Sequence, residues 1–355
     1  MSCDDFYLPS IDADGEQVYF KIYGGDGGFS IDDPGSFQQA GSGRMMNFSF
    51  PDGGVNGAAV LGIGVFDGVH LGHRKIIAEL VEMGRIFHAV PVAVTFFPHP
   101  RAVLCPDSPP RLLQPPEERL RLLHLAGAEK VNVIEFSAET AATAPELFVD
   151  ELLAAHGDVR GICVGEHWRF GRGGRGDTMF LARGLERRGI AFRAVPEVRI
   201  DGVVVSSSCI REAVATGDLA GAARMLGDFP CLYGEVEPGF RIAERQLHAP
   251  TANLRTDFGV LPPDGVYAGW TELGGKRFPT VTNIGFSPTF GGTAERRVES
   301  HLIGFSGDLY RKRLAVKIAA KLRDERRFVS VSELERQIKA DRAKAAEIFS
   351  EMVKK

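Results

Sequence analysis

The 355-residue sequence predicts two successive folds: a Rossmann-like α/β domain built on a parallel sheet, then a small antiparallel β-barrel with a C-terminal helix. Three observations predict this. From Ala58 onward, apolar runs alternate with stretches of helical periodicity, which is the signature of βαβ units. After Asp228 the pattern changes to short strand-like runs split by glycine and proline, as in small antiparallel barrels. The chain then closes on Leu334, Ile338, Ala345, Ile348, Phe349 and Met352, an apolar set at helical spacing.

Residues 1–57 stand apart from this pattern. Turn formers dominate at 24–28, 32–35 and 41–43 and leave 18–23 as the one strand-like run, so a poorly ordered N-terminal extension is expected. Met45 and Met46 lie just before the first strongly patterned strand and offer an alternative start. The first domain is expected over 58–228, with strands at 59–63, 90–96, 131–134, 161–165 and 190–195. Its helices are expected at 73–88, 116–126 and 144–156, then one ending at Arg188, and two short ones near 210–215 and 219–226. Thr143 is read as the cap of the 144–156 helix, with Glu146 reaching back. The second domain, 229–355, is expected to hold strands at 232–236, 265–273, 278–284, 298–305 and 314–319. Its final helix is read as starting at Ser332, with Glu335 completing the cap.

Composition excludes several classes. A hydrophobic fraction of 44% over this length supports more than one core. The formal charge of −4, with scattered Lys and Arg, gives no footprint for a nucleic-acid backbone. Five widely spaced cysteines without a C-x-x-C pair argue against a disulfide framework or a thiolate zinc site, and fit a reducing cytosol. No stretch approaches the roughly 18 apolar residues needed to span a bilayer, and the first residues lack a basic and an apolar leader region. A soluble cytoplasmic protein without a membrane partner is expected, while oligomeric state is not legible.

The segment Gly62-Ile-Gly64-Val-Phe66-Asp-Gly-Val-His70-Leu-Gly72-His73 falls where the first strand ends and the first helix begins. In doubly wound sheets that edge binds ligands. Two imidazoles and the free amides of a helix N-terminus suit the phosphates of ATP, and Gly72 allows close backbone approach. A zinc reading lacks Cys, Asp or Glu at ligand spacing. A second signal is Ser206-Ser207-Ser208-Cys-Ile-Arg211, three hydroxyls opening a helix with a guanidinium one turn on. Alone it would be an ordinary cap; beside the histidine motif it suits pyrophosphate oxygens.

These two motifs occur in order with Thr95-Phe-Phe-Pro-His99-Pro100 and Gly165-Glu-His-Trp-Arg-Phe170-Gly. From about residue 58 onward the chain thereby resembles bacterial bifunctional riboflavin kinase/FAD synthetases. The resemblance implies an α/β nucleotidylyltransferase domain followed by a riboflavin kinase barrel. It also implies ATP as substrate, Mg2+ as the accompanying metal, and riboflavin, FMN and FAD as small-molecule ligands. His70 and His73 would act on ATP phosphates, with Gly64, Phe66 and Gly72 lining the nucleotide. Ser207, Ser208 and Arg211 would hold the departing pyrophosphate, and His99, Pro100 and Phe170 would lie on the flavin side. Three positions depart from the family pattern: His167 for Asp or Asn, Ser208 for Thr, and Phe97 for an acidic residue.

In the second domain, Pro250-Thr251-Ala-Asn253 reads as a rigid turn bearing two hard oxygen ligands, a weak signal by itself. It is followed by Leu261-Pro-Pro-Asp-Gly-Val-Tyr267, Asn283-Ile-Gly285, Pro288-Thr-Phe290, Glu299-Ser-His-Leu302 and Asp308-Leu-Tyr310, which is the riboflavin kinase series in family order. The resemblance makes Thr251 and Asn253 the metal and phosphate ligands, and Glu299 the general base for the riboflavin 5′-hydroxyl. Taken alone, Glu299 would read as a solvated charge on an edge strand. Glu244 and His248 replace two glycines of the family, and Gly304 replaces an aspartate. Three readings stay open: a bifunctional enzyme, an FAD synthetase with a silent flavin-binding barrel, and a non-catalytic flavin or nucleotide sensor. The retained Thr251, Asn253 and Glu299 favour the first.

Overall fold

A computed structural model of the chain describes residues 6–11, 17–22, 31–32, 46–237, 251–287 and 295–353. It divides into two compact units: Met1–Pro110 with Pro116–Arg199, and Arg111–Pro115 with Ile200–Lys355. Of the sequence expectations, those on Glu244, His248 and Pro288-Thr-Phe290 lie outside the described residues.

The first strands are β1 (Phe6–Ile11), β2 (Gln17–Ile22) and β3 (Ile31–Asp32), a small antiparallel sheet where the sequence led to an expectation of one strand. The expected extension also ends before residue 57, because β4 (Phe48–Ser49) pairs antiparallel with β7 (Lys130–Glu135). Met46 is 1% exposed within the core, and its amide donates to Glu151 Oε2 at 2.9 Å. A methionine placed there is part of the domain. Asp52 fastens the same segment: its Oδ2 accepts from Val131 N at 2.9 Å and lies 3.1 Å from His124 Nε2.

The main sheet adds β5 (Ala59–Ile63), β6 (Val90–Phe97), β8 (Val159–Gly165) and β9 (Ala191–Val195), in the order β4-β7-β6-β5-β8-β9. From β7 to β9 all neighbours are parallel. All five residues of β5 are buried, as expected of a central strand covered on both faces. The crossover helices include α1 (Leu71–Phe87), α3 (Pro116–Leu125), α5 (Pro145–His156) and α6 (Thr178–Glu186). α1 buries Ile76, Ile77, Leu80 and Met83 at helical spacing. Two short helices, α2 (Pro100–Leu104) and α4 (Ala138–Ala142), were missed from sequence. The presence of α4 corrects the cap assignment: Thr143 ends α4 and donates to Glu139 O, while α5 starts after Ala144 without a side-chain cap.

Two further pairs of elements follow at the boundary and start of the second unit. They are β10 (Arg199–Ile200) with β11 (Val203–Val204), then α7 (Ser207–Thr216) and α8 (Leu219–Leu226). The sequence places these helices at the end of the first domain; in the structure α7 packs on α8, and α8 on the last barrel strand. The amphipathic face of α8 explains this, since Leu219, Ala222, Met225 and Leu226 are buried there.

The barrel is closed and six-stranded: β12 (Cys231–Glu237), β13 (Thr251–Phe258), β14 (Gly265–Leu273), β15 (Lys276–Ser287), β16 (Glu295–Leu302) and β17 (Arg313–Arg323), in the order β12-β13-β16-β15-β14-β17. β13 was missed, because Pro250 made Thr251-Ala-Asn253 read as a turn, whereas these residues begin a strand. α9 (Val331–Val353) follows. Its cap is two residues earlier than expected: Ser330 Oγ accepts from Glu333 N, and Val329 N donates to Glu333 Oε2, each at 3.2 Å. The sequence Ser-Val-Ser-Glu-Leu-Glu holds both registers, and the structure selects the first. Among the described residues, Cys105, Cys163, Cys209 and Cys231 form no disulfide.

α9 is anchored by a fork. Arg323 Nε and Nη2 donate to Asp341 Oδ2 at 3.0 and 2.9 Å, and Gln337 Nε2 fills Asp341 Oδ1 at 2.7 Å. Since Asp341 is 5% exposed, Asp341→Ala strands a cation and should cost about 3 kcal/mol, read as a lower urea midpoint of unfolding. A second expectation concerns pH. The Asp52 hydrogen bond raises His124 above its ordinary 6.5, so this stabilisation is complete below 6.5 and is lost as pH rises through the folded value. The melting temperature should fall over that interval, with a smaller fall in His124→Gln.

Candidate active sites

In the strand order of the first unit, winding reverses beside β5, the position where open α/β sheets bind ligands. The chain leaves β5 at Ile63 and turns sharply before α1, with left-handed backbone at Phe66 (φ 54°), Gly68 (φ 89°) and Val69 (φ 37°). Gly64 is required here by close approach: a Cβ would sit 2.9 Å from the Phe66 ring. Phe66 itself is fully buried, with its ring 5.2 Å from that of His73. Thus Gly64 and Phe66 shape the turn, and the Phe66 side chain does not face solvent.

His70 caps α1, its Nδ1 accepting from His73 N at 3.3 Å. The two imidazoles stack at 3.6 Å between centroids and 18° between planes. Burial, then the charges of His70 and Arg119, hold His73 well below the ordinary imidazole range, so it is neutral at physiological pH. Its buried Nδ1 has no hydrogen-bond partner. No acidic residue occupies the first turn of α1, so the positive end of the helix dipole, with the amides of Leu71 and Gly72, is left to an anion.

His99 is 8% exposed and caps α2, its Nδ1 accepting from Arg101 N at 3.0 Å, with Pro100 as the first helical residue. Phe170 is expected on the flavin side. It is 6% exposed in the core, its ring 4.6 Å from Trp168, 5.3 Å from Phe148 and 6.0 Å from Phe180. It supports its loop, and Trp168 is the half-buried member of the stack. The departures from family pattern have local accounts. Phe97 packs in an apolar cluster with Val133 and Leu120. His167 Nε2 is 3.5 Å from Glu197 Oε2 and 3.9 Å from Glu166 Oε1 on the exposed surface.

In the second unit, Ser206 caps α7 by accepting from Cys209 N at 3.2 Å. Ser207 and Ser208 form the first helical turn, and Arg211 Nη2 reaches Ser208 Oγ at 3.3 Å, so hydroxyl, amide and guanidinium share one helix start.

The barrel register assembles the other site. Glu299 pairs with Asn253 on β13 and with Asn283 on β15, so three polar side chains stand in one row across adjacent strands. In a closed barrel β16 has neighbours on both sides, which removes the reading of Glu299 as an edge-strand charge. Thr251 pairs with His301 in the same ladder; its side chain is outside the described residues. Val298 and Ser300 are buried, while Glu299 and His301 line a cavity of about 280 Å3 with Val266, Val281, Phe328, Leu334 and Ile338. Burial raises the Glu299 carboxyl above its ordinary 4.5, Glu325 adds to the shift, and Arg297 opposes it. Asn283 Nδ2 donates to Glu325 Oε1 at 3.0 Å. The sequence motif that holds Asn283 assigns it no role and Glu325 lies in no motif; no local pattern brings them to Glu299. Gly304 adopts φ 78°, a left-handed conformation that an aspartate would strain.

Two family models match the chain: FAD synthetase over residues 54–209 and riboflavin kinase over residues 226–349. The bifunctional riboflavin kinase/FMN adenylyltransferase of Escherichia coli (strain K12) is 36% identical over 291 residues, 82% of this chain and 92% of the relative. The protein of that name from Bacillus subtilis (strain 168) is 30% identical over 303 residues, 83% of this chain and 94% of its own. A crystal structure described as a macrolide-efflux protein from Streptococcus pneumoniae superposes with a TM-score of 0.72 at 27% identity, covering 82% of this chain and 95% of that one. Among the described residues no helix is long and apolar enough to cross a membrane. With both domain models matched in order and relatives aligned over most of its length, the chain belongs to the bifunctional riboflavin kinase/FMN adenylyltransferase family.

Proposed function

We propose that the barrel unit transfers the γ-phosphoryl group of ATP to riboflavin, giving FMN, and that the α/β unit transfers AMP from a second ATP to FMN, giving FAD and pyrophosphate. The observation that favours two activities over an FAD synthetase with a silent barrel is the direct pairing of Glu299 with Asn253 beside a cavity that combines apolar and charged side chains and is large enough for a ring system. A sensor would need neither a base nor its hard-ligand neighbour.

In the kinase step, Glu299 takes the proton of the riboflavin 5′-hydroxyl as that oxygen attacks the γ-phosphorus and ADP leaves. Burial makes Glu299 a stronger base than an exposed carboxylate, which suits it to an alcohol. The amide oxygen of Asn253 and the hydroxyl of Thr251 are hard donors that fit Mg2+, which would supply charge neutralisation on the phosphates. In the adenylyl step, an oxygen of the FMN phosphate attacks the α-phosphorus in line and the bond to pyrophosphate breaks. No protein nucleophile is required, and the work is positioning and charge stabilisation. His70, His73 and the amides at the start of α1 hold the triphosphate, with Gly64, Phe66 and Gly72 shaping the turn beneath it. Ser207, Ser208 and Arg211 are assigned to the leaving pyrophosphate, and His99 with Pro100 to the flavin side. With ATP and flavins as its small-molecule substrates, the reaction belongs to the cytoplasm.

Chromatographic product analysis tests the whole reading. Riboflavin, ATP and magnesium should give both FMN and FAD; FAD formed from supplied FMN alone would leave the barrel silent, and neither product would favour a sensor. His73→Ala should lower FAD formation by about 100-fold or more and leave FMN formation intact. Glu299→Gln should lower FMN formation by at least about 100-fold and spare adenylyl transfer from supplied FMN. Because the base must be ionised and its titration is displaced upward, the acid limb of kcat/KM for FMN formation should lie above 4.5. A limb at or below that value would remove Glu299 as the base.

A further inference from the structure

Arg119 lies on α3 between Glu118 and Leu120, in a sequence that reads as the solvent face of a helix. The structure turns it inward. It is 2% exposed and among the largest fully buried side chains of the protein, although arginine is almost never fully buried without a partner. Only its Nη1 is engaged, donating to Phe96 O at 3.0 Å, while buried Nε and Nη2 have no hydrogen-bond partner.

Its surroundings are those of the adenylyl-transfer site. Phe96 is at the carboxyl end of β6, two residues before the turn that carries His99 and Pro100. Asp67, 1% exposed, follows Phe66 in the turn between β5 and α1, and its charge offsets part of the burial acting on the guanidinium. His73, whose Nδ1 is also without a partner, feels the Arg119 charge directly. One buried cation therefore acts on both loops that bear the motif histidines. A role in packing alone does not account for it, since methionine or leucine would fill the space without stranding two N–H groups. Buried polar groups left unsatisfied in this way are characteristic of sites kept for function.

We propose that Arg119 is a positioning residue for adenylyl transfer, a buried cation that holds the end of β6 and the Asp67 turn in register so that His73 meets the triphosphate correctly. The inference rests on the ATP site proposed above at His70 and His73. Unlike the motif residues, Arg119 acts through its neighbours.

The test compares Arg119→Met and Arg119→Lys in the full chain, with His73→Ala in parallel. FAD formation from FMN and ATP, FMN formation from riboflavin, and thermal unfolding are measured for each. Arg119→Met should lose about 100-fold in kcat/KM for ATP in FAD formation. Its FMN formation should be unchanged, and Arg119→Lys should recover at least about tenfold by restoring the cation. Arg119→Met within about threefold of wild type would overturn the proposal, as would a folded Arg119→Lys no better than the methionine variant, since packing and not charge would then matter. Should Arg119→Met fail to fold, Arg119→Lys decides alone. Activity within about tenfold of wild type supports the proposal, and a lower value or loss of folding overturns it. An active His73→Ala would refute the ATP site itself, whereas an impaired His73→Ala beside a normal Arg119→Met would refute only the role of Arg119.

Discussion

The parallel pairing of β5 between β6 and β8 is the constraint on which the α/β unit depends. Parallel neighbours cannot be joined by a tight turn, so each connection runs through a helix and all carboxyl ends gather on one edge. Because β5 sits where the winding reverses, the chain leaves β5 and β8 toward opposite edges of the sheet, the position at which doubly wound sheets bind ligands. The turn from Ile63 to His70 must then reach a helix start within a few residues. It does so through left-handed Phe66 and Val69, conformations that cost of order 1–2 kcal/mol each for residues with a Cβ. Full burial of both side chains offsets that strain. The outcome is a capped helix N-terminus carrying two stacked imidazoles, that of His73 neutral, and no acidic residue in its first turn, an electrostatic setting suited to a polyanion.

The barrel unit meets the same phosphate chemistry by different means. The polar row on its strands rests on register and not on a helix start. Closure of six antiparallel strands gives β16 two neighbours, and the ladder places Asn253, Glu299 and Asn283 side by side. Alternation then sends Val298 and Ser300 inward and leaves Glu299 on the face that lines the cavity. A one-residue slip would reverse every one of these directions. The Arg323–Asp341 fork fastens α9 to the same row, because Arg323 pairs with Val266, which in turn pairs with Asn283.

The departures from the family pattern are accommodated locally. Phe97 exchanges a charge for apolar packing, His167 finds two carboxylates at the surface, and Gly304 occupies backbone suited to glycine. None of these replacements disturbs the histidine turn or the polar row of the barrel.

Periodicity and turn chemistry carried the main strands and crossover helices of the α/β unit, the change to a barrel, and the motifs at His70 and Ser206, because each is written in residues close together in the chain; Glu299 gains its role only from the series of motifs that resembles riboflavin kinases. Where two local patterns competed, tertiary packing decided. Ser330 and not Ser332 caps α9, Ala144 and not Thr143 precedes α5, Met46 joins the core, and α7 and α8 pack with the barrel. The inward turn of Arg119, the burial of Phe170 in an aromatic stack, and the meeting of Asn283 and Glu325 beside Glu299 had no sequence signal at all. Each depends on which face of an element is covered by a segment distant in the chain, and that is a property of the packed structure alone.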